Sequence, residues 1–239
     1  MQYLYGPIKS RRLGVSLGIN LTLPKTCSFD CLYCQIGKTN NLTLSRSEYV
    51  KINQIIEELR EWVHNGKNDL SSMDYITLSG SGEPMLNSGI SDLIIYLKGL
   101  SNAKIALITN SSFLCDSSLR KEISKVDLVV PSLDAVTQEL FVKIDRPHEG
   151  LRIEDIINGL ISLRKEFRGK IWLEVMLVKG VNDDIRHIRK LKEVIDRINP
   201  DKVQLNSPVR TVSEAGVFSV SRPKLKKIAN ILGEKAEII

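Results

Sequence analysis

The chain has 239 residues, 42% hydrophobic and 26% charged, a balance that supports one core-forming domain and excludes a long disordered region. Its net charge of +6 favours anionic partners such as RNA or a phosphorylated metabolite, although cations such as Arg186, Arg189, Lys190 and Lys192 also fit a solvated helix face. No stretch approaches the ~20 uninterrupted apolar residues of a membrane span, and the opening residues lack the apolar core of a signal peptide, so a cytoplasmic location is expected.

Past an N-terminal arm over 1–14, short apolar runs alternate with stretches of helical period, the pattern of βα units around a parallel sheet. Strands are predicted at 15–23, 75–78, 104–109, 127–132, 171–178 and 202–206, several of them continuous apolar runs as befits strands covered on both faces. The first helix is expected from Ser45, which forms a capping-box pattern with Glu48, and it sets Ile52, Ile55, Ile56, Leu59, Trp62 and Val63 at helical spacing before Asn65 and Gly66. Later helices are predicted at 89–97, 117–123, 153–167 with Gly169 as a stop, and 184–198 with Asn182 and Asp183 as caps and Pro200 as a stop. A last one starts near 221–223. The expected architecture is a single α/β domain over 1–239. Its core, 15–208, is a partial (β/α)6 TIM-like barrel of parallel strands, followed by a helix-bearing extension over 209–239.

Three of the four cysteines fall within eight residues in Thr26-Cys27-Ser28-Phe29-Asp30-Cys31-Leu32-Tyr33-Cys34-Gln35, with Cys115 far away, a poor spacing for disulfide staples. Cys115 itself reads as a buried apolar residue. The run directly follows a predicted strand, which places three thiols at the C-terminal end of the sheet, where parallel β/α folds build their sites. Three such thiols suit zinc or an iron–sulfur cluster. Structural zinc wants a fourth protein ligand, and His64, His148 and His187 have no paired spacing; a zinc-stabilised basic RNA-binding module is the alternative reading. A [4Fe–4S] cluster on three cysteines leaves one iron open to an exogenous ligand.

The spacing Cys27-x3-Cys31-x2-Cys34, with Tyr33 just before the third cysteine, resembles the signature of the radical SAM superfamily, and the resemblance extends over about 15–208. It implies a [4Fe–4S] cluster on Cys27, Cys31 and Cys34. In that family the open iron binds S-adenosylmethionine, and reductive cleavage gives a 5′-deoxyadenosyl radical that abstracts a substrate hydrogen. Ser79-Gly80-Ser81-Gly82-Glu83 resembles the family's glycine-rich segment, whose backbone contacts the methionine amino group. Thr109-Asn110 and Ser132-Leu133-Asp134 resemble its positions for polar contacts to the methionine carboxylate and ribose. The stretch from Glu174 to Asp183 looks like the corresponding segment of the molybdenum-cofactor cyclase, and related members often carry a basic residue near the strand start to pair with that carboxylate. Here Glu174 stands there, leaving Lys179 or Arg146 as replacements, or Glu174 as a ribose contact. The resemblance also implies an electron donor such as ferredoxin or flavodoxin.

The pattern from Tyr3-Leu4-Tyr5-Gly6-Pro7 to Arg11-Arg12-Leu13-Gly14 resembles short proteins related to the wyosine tRNA-modification enzyme, which implies an RNA base or nucleotide as substrate. No cysteine precedes Cys27 and no C-terminal cysteine array exists, so one cluster is expected. The same layout resembles glycyl-radical activating enzymes, whose substrate is a protein. Arg11 and Arg12 are candidates to grip a phosphate or carboxylate, and Asp145-Arg146-Pro147-His148 to line the substrate mouth.

Overall fold

The computed structural model describes residues 1–10, 12–64, 69–208, 214 and 216–239. Its elements begin with β1 (Leu4–Ser10), β2 (Gly14–Asn20), the two-residue strands β3 (Thr26–Cys27) and β4 (Asn41–Leu42), and α1 (Ile52–His64). There follow β5 (Tyr75–Ser79), α2 (Ile90–Leu100), β6 (Lys104–Thr109), α3 (Ser117–Glu122), β7 (Leu128–Pro131), α4 (Gln138–Ile144) and α5 (Ile153–Glu166). The chain ends with β8 (Lys170–Met176), α6 (Ile185–Ile198), β9 (Lys202–Asn206), α7 (Arg222–Leu232) and β10 (Ala236–Ile238).

All six expected strands are present, side by side in the order β2-β5-β6-β7-β8-β9 and parallel throughout, an open, partial barrel that does not close. Two further strands extend it. The expected arm is a strand, β1, folded antiparallel onto β2, and β10 adds in parallel beyond β9. Asn65, Gly66 and Arg11 lie outside the described residues, and no described helix is long and apolar enough to cross a membrane.

Parallel register assigns the strand faces, since side chains alternate along each strand. Pairs such as Leu17↔Ile76 and Ile76↔Ile105 put Leu17, Ile19, Ile76, Leu78, Ile105, Leu107 and Val129 on the outer face, where the helices cover them. The opposite face carries a smaller cluster of Leu13, Ala106, Leu128 and Val130 low in the barrel. Above that plug the inward positions turn polar: Asn20, Ser79, Ser132, Glu174 and Asn206 stand near the C-terminal ends of their strands. A polar mouth therefore sits on an apolar floor.

The first helix starts later than its capping pattern implies. Arg46 donates to the carbonyls of Met85 and Asn87 and pairs with Glu122, and Tyr49 Oη donates to the Ser45 carbonyl, which holds 45–49 out of a helix. The first α1 N–H, that of Ile52, instead finds Glu48 Oε1 at 2.9 Å. Asp184, rather than Asn182 or Asp183, caps α6, accepting from His187 N at 3.0 Å. Asn182 is fully buried and stitches the end of β8, accepting from Val178 N and donating to the carbonyls of Met176 and Asp134. Asp183 accepts from Gly180 N and pairs with Lys224.

Candidate metal centre

The loop after β2 carries the three thiols to the C-terminal rim, and neighbours fix it on three sides. From α4, the Ile144 carbonyl accepts from Leu32 N and the Asp145 and Arg146 carbonyls accept from Asp30 N. From β6, Asn110 Nδ2 donates to Ser28 Oγ at 2.9 Å and reaches Cys27 Sγ at 3.5 Å. Within the loop, Lys25 Nζ lies 3.0 Å from Cys34 Sγ. Cys31 Sγ donates to Asp145 Oδ1 at 3.7 Å, and Tyr33 Oη donates to Asp134 Oδ2.

Asp134 also accepts from Met176 N at 2.7 Å. Asp134 and Asp145 are hydrogen-bonded to each other, and burial raises both carboxyls well above the usual range, the like charge of Asp134 adding to the effect on Asp145. Half-buried Cys31 and Tyr33 thus join the buried carboxyls of Asp134 and Asp145 in one network that anchors the loop.

Burial, aided by Glu83, pushes the Cys27 thiol up to about 11, and burial with Asp145 pushes Cys31 well above its ordinary value. Bare, Cys27 and Cys31 keep their protons at neutral pH, so their ligation as thiolates needs positive charge delivered to the loop, which iron ions supply. Among the described residues no three His, Cys, Asp or Glu side chains converge tightly enough to share one metal ion. Structural zinc takes four protein ligands and this loop offers three thiols, whereas a four-iron cluster takes one thiolate per iron and can leave its fourth iron open. The donor set fits the cluster.

The turn after β5 packs directly on this loop. Gly82 lies so close that an added Cβ would sit 1.7 Å from the Thr26 carbonyl oxygen, and one at Gly80, whose φ is +152°, would sit 2.2 Å from Asn20 Oδ1. Ser81 N donates to Asn20 Oδ1 at 3.0 Å, and its carbonyl accepts from Lys25 N. Gly82 thus admits the cysteine loop itself, and Gly80 the end of β2. Glu83, 2% exposed, points inward and accepts from Thr109 Oγ1, Asn110 N and Met85 N, tying this turn to the end of β6. Thr109 and Asp134 are equally buried and face protein partners, while Ser79, Gly80, Ser81, Gly82, Asn110 and Ser132 are partly open at the rim.

Burial raises the Glu83 carboxyl to about 7 from 4.5. Its folded form therefore holds a proton that the unfolded form has lost between those values, so its contribution to stability falls as pH rises from 4.5 to 7, by about 3 kcal/mol. Glu83→Gln is expected to flatten that part of the pH profile of the metal-free chain. Because one amide oxygen cannot serve all three donors, it should also cost about 1–3 kcal/mol at pH 5. Urea midpoints at pH 5 and pH 8 measure both effects; parallel profiles for the two proteins would refute the assignment.

Across the barrel, Arg12 Nη1 pairs with Glu174 Oε2 at 2.5 Å, and Asn206 Nδ2 donates to Glu174 Oε1 at 3.1 Å. Arg12 thus meets an internal carboxylate. Arg146 is paired with Glu214, and Lys179 is exposed. Tyr5, from β1, lies against Gly18 and bonds Ser79 at the mouth. Tyr5 belongs to the N-terminal pattern of the sequence without being marked there as a site residue, and Asn206 carries no sequence signal, since both reach the site only through strand pairing. His148 is half-buried, its Nδ1 accepting from Gly150 N, and Cys115 is exposed instead of buried, because the chain turns outward there into α3.

The profile of the Radical SAM superfamily matches residues 21–191. The chain is 38% identical over 224 residues to a protein named GTPase Obg from Brachyspira hyodysenteriae, covering 94% of this chain and 32% of that protein. It is 36% identical over its whole length to a UPF0026 protein of Methanocaldococcus jannaschii, of which it spans 73%. Identity to the dual-specificity RNA methyltransferase RlmN of Buchnera aphidicola is 28% over 224 residues, covering 87% of this chain and 58% of that enzyme. Among solved structures, a radical SAM methyltransferase from Sphaerobacter thermophilus superposes with a TM-score of 0.68 at 20% identity, over 94% of this chain and 66% of that one. The chain thus spans about a third of the first of these relatives and two thirds of the solved structure.

Proposed function

This chain belongs to the radical SAM superfamily, and we propose that it holds the superfamily's [4Fe–4S] cluster on Cys27, Cys31 and Cys34 and acts on an RNA base or nucleotide. When bound, the reduced cluster and S-adenosylmethionine supply a 5′-deoxyadenosyl radical that abstracts a hydrogen atom from the substrate. One observation carries the reading: the three thiols, the Ser79–Glu83 turn and the polar ends of β6, β7 and β8 all meet on one rim.

The chain's own residues then have distinct roles. Lys25 stabilises the Cys34 thiolate, and Tyr33 anchors the loop through Asp134. The backbone of Ser79, Gly80, Ser81 and Gly82 offers polar groups to the methionine end of the cofactor. Glu83 and Thr109 hold that turn and position Asn110. Asn110, Ser132 and Glu174 face the mouth as candidate contacts to the carboxylate and ribose. Arg12 brings a guanidinium to Glu174, and so supplies the positive charge expected near this strand in place of Lys179 or Arg146.

The basic net charge and the RNA methyltransferase relative support an RNA or nucleotide substrate. Superfamily enzymes need a reductant, and a ferredoxin or flavodoxin is the proposed donor. The test is anaerobic reconstitution with iron and sulfide, dithionite reduction with S-adenosylmethionine, and chromatography for 5′-deoxyadenosine. Formation dependent on all three cysteines is expected. A chain that binds stoichiometric zinc and no iron would overturn the reading.

A further inference from the structure

A second feature of the same rim lies outside the cysteine site. Between α4 and α6 runs a polar cleft of about 450 Å³, flanked by Lys143, Arg186 and Lys190, with Glu139 and Asp184 as its acidic members. All three cations are exposed, and none has an ion-pair partner among the described residues. Arg120, Arg146, Arg164 and Lys170, by contrast, are all paired. Three cations against two carboxylates leave the cleft net positive.

His187 also lines the cleft; it is 6% exposed, and its Nε2 has no hydrogen-bond partner. A buried polar nitrogen without a protein partner is uncommon in folded proteins, and this one adds to the polar character of the cleft wall. Burial lowers the imidazole's pKa, so at neutral pH it is uncharged and adds polarity rather than charge.

The cleft is next to the candidate cofactor site. Thr137, its N-terminal corner, caps α4 just past β7, and Val181 follows β8, so both lie at the C-terminal end of the sheet. Lys143 contributes to the cleft, while the next two residues, Ile144 and Asp145, accept from the cysteine loop. Only α4 separates the two.

Resting on the RNA reading above, we infer that this cleft holds the phosphodiester backbone of a single-stranded or looped RNA, with Lys143, Arg186 and Lys190 each on a phosphate. An exposed cation contributes to such binding by releasing counterions, and the contribution is read in the salt dependence. Three contacts to a single strand give a slope of log K against log salt of about −2, which is roughly a 20-fold loss of affinity between 50 and 200 mM salt.

The experiment compares the cluster-loaded wild type with the triple variant Lys143→Gln, Arg186→Gln, Lys190→Gln. A second triple variant, Lys121→Gln, Lys125→Gln, Lys165→Gln, imposes the same change in net charge on the other side of the molecule. Fluorescence anisotropy with a labelled mixed-sequence single-stranded RNA is recorded at several salt concentrations. The cleft variant is expected to lose about 2 from the slope, with the control near wild type and both retaining substrate-free 5′-deoxyadenosine formation. RNA binding with an unchanged slope would overturn the cleft assignment and leave the RNA reading standing. Wild type that cleaves S-adenosylmethionine but binds no RNA even at low salt would overturn the RNA reading and this inference with it. Competition by polyglutamate as strong as by unlabelled RNA would assign the cleft to an acidic protein instead. Loss of substrate-free cleavage in the cleft variant would show that these side chains serve the fold or the cluster site, and would overturn the cleft assignment.

Discussion

Cys31→Ala is expected to reduce cluster loading and 5′-deoxyadenosine formation to background while leaving the fold intact. Of the three thiols, Cys31 is the one hydrogen-bonded to the buried carboxyls, through Asp145 to Asp134 and Tyr33. Deleting its sulfur leaves two thiolates, too few to hold a four-iron cluster with one iron open. The structural cost is small by comparison. A truncated buried atom and a weakened hydrogen bond amount to about 1 kcal/mol, a shift in Tm of about 2–4 °C for a chain of this size. Iron and sulfide content, the visible absorption of the reconstituted protein and the melting curve of the metal-free protein separate the two effects. A fully loaded, active Cys31→Ala protein would remove Cys31 from the ligand set.

The parts of this site legible in the sequence are those whose chemistry is local. The cysteine run, its place after a strand and the glycine-rich turn after the next strand each lie within ten residues, and the apolar runs of β5 to β9 give away strands covered on both faces. Long-range pairings are not visible this way. Arg12 meets Glu174 across 162 positions, and Cys31 meets Asp145 across 114. The β1 strand is hidden for a different reason: its burial runs from Leu4 into exposed residues, with Pro7 inside it, because an edge strand carries no covered face to impose a pattern. Ser45 with Glu48 fits a capping box, yet tertiary bonds from Arg46 override it, and Glu48 caps the helix alone. Cys115 is a small apolar residue by type, and its exposure follows from the turn into α3 rather than from anything its neighbours encode.

Gly82→Ala is expected to disturb the site nearly as much as loss of a cysteine, by separating the glycine-rich turn from the cysteine loop. A glycine beside a cofactor invites the explanation that backbone must approach ligand. At Gly82 the close neighbour is instead the Thr26 carbonyl, 1.7 Å from an added Cβ, one residue before Cys27. That oxygen is backbone and accepts from Glu83 N, so it cannot swing aside as a side chain would. A methyl group here must push the Ser79–Glu83 turn and the cysteine loop apart by more than an ångström, breaking the registry between the thiols and the backbone groups proposed to face the cofactor. The expected cost is about 1–3 kcal/mol or more in stability, with a larger relative loss in cluster retention and in S-adenosylmethionine-dependent cleavage. Gly99→Ala is the matched control: it lies within α2, no atom comes within 4 Å of its added Cβ, and replacing a helical glycine should stabilise by up to about 1 kcal/mol with the site untouched. Urea midpoints of the metal-free proteins and iron retention after gel filtration distinguish the two variants. If Gly82→Ala keeps both its midpoint and its iron, the contact with Thr26 is soft, and the glycine is there for the ligand after all.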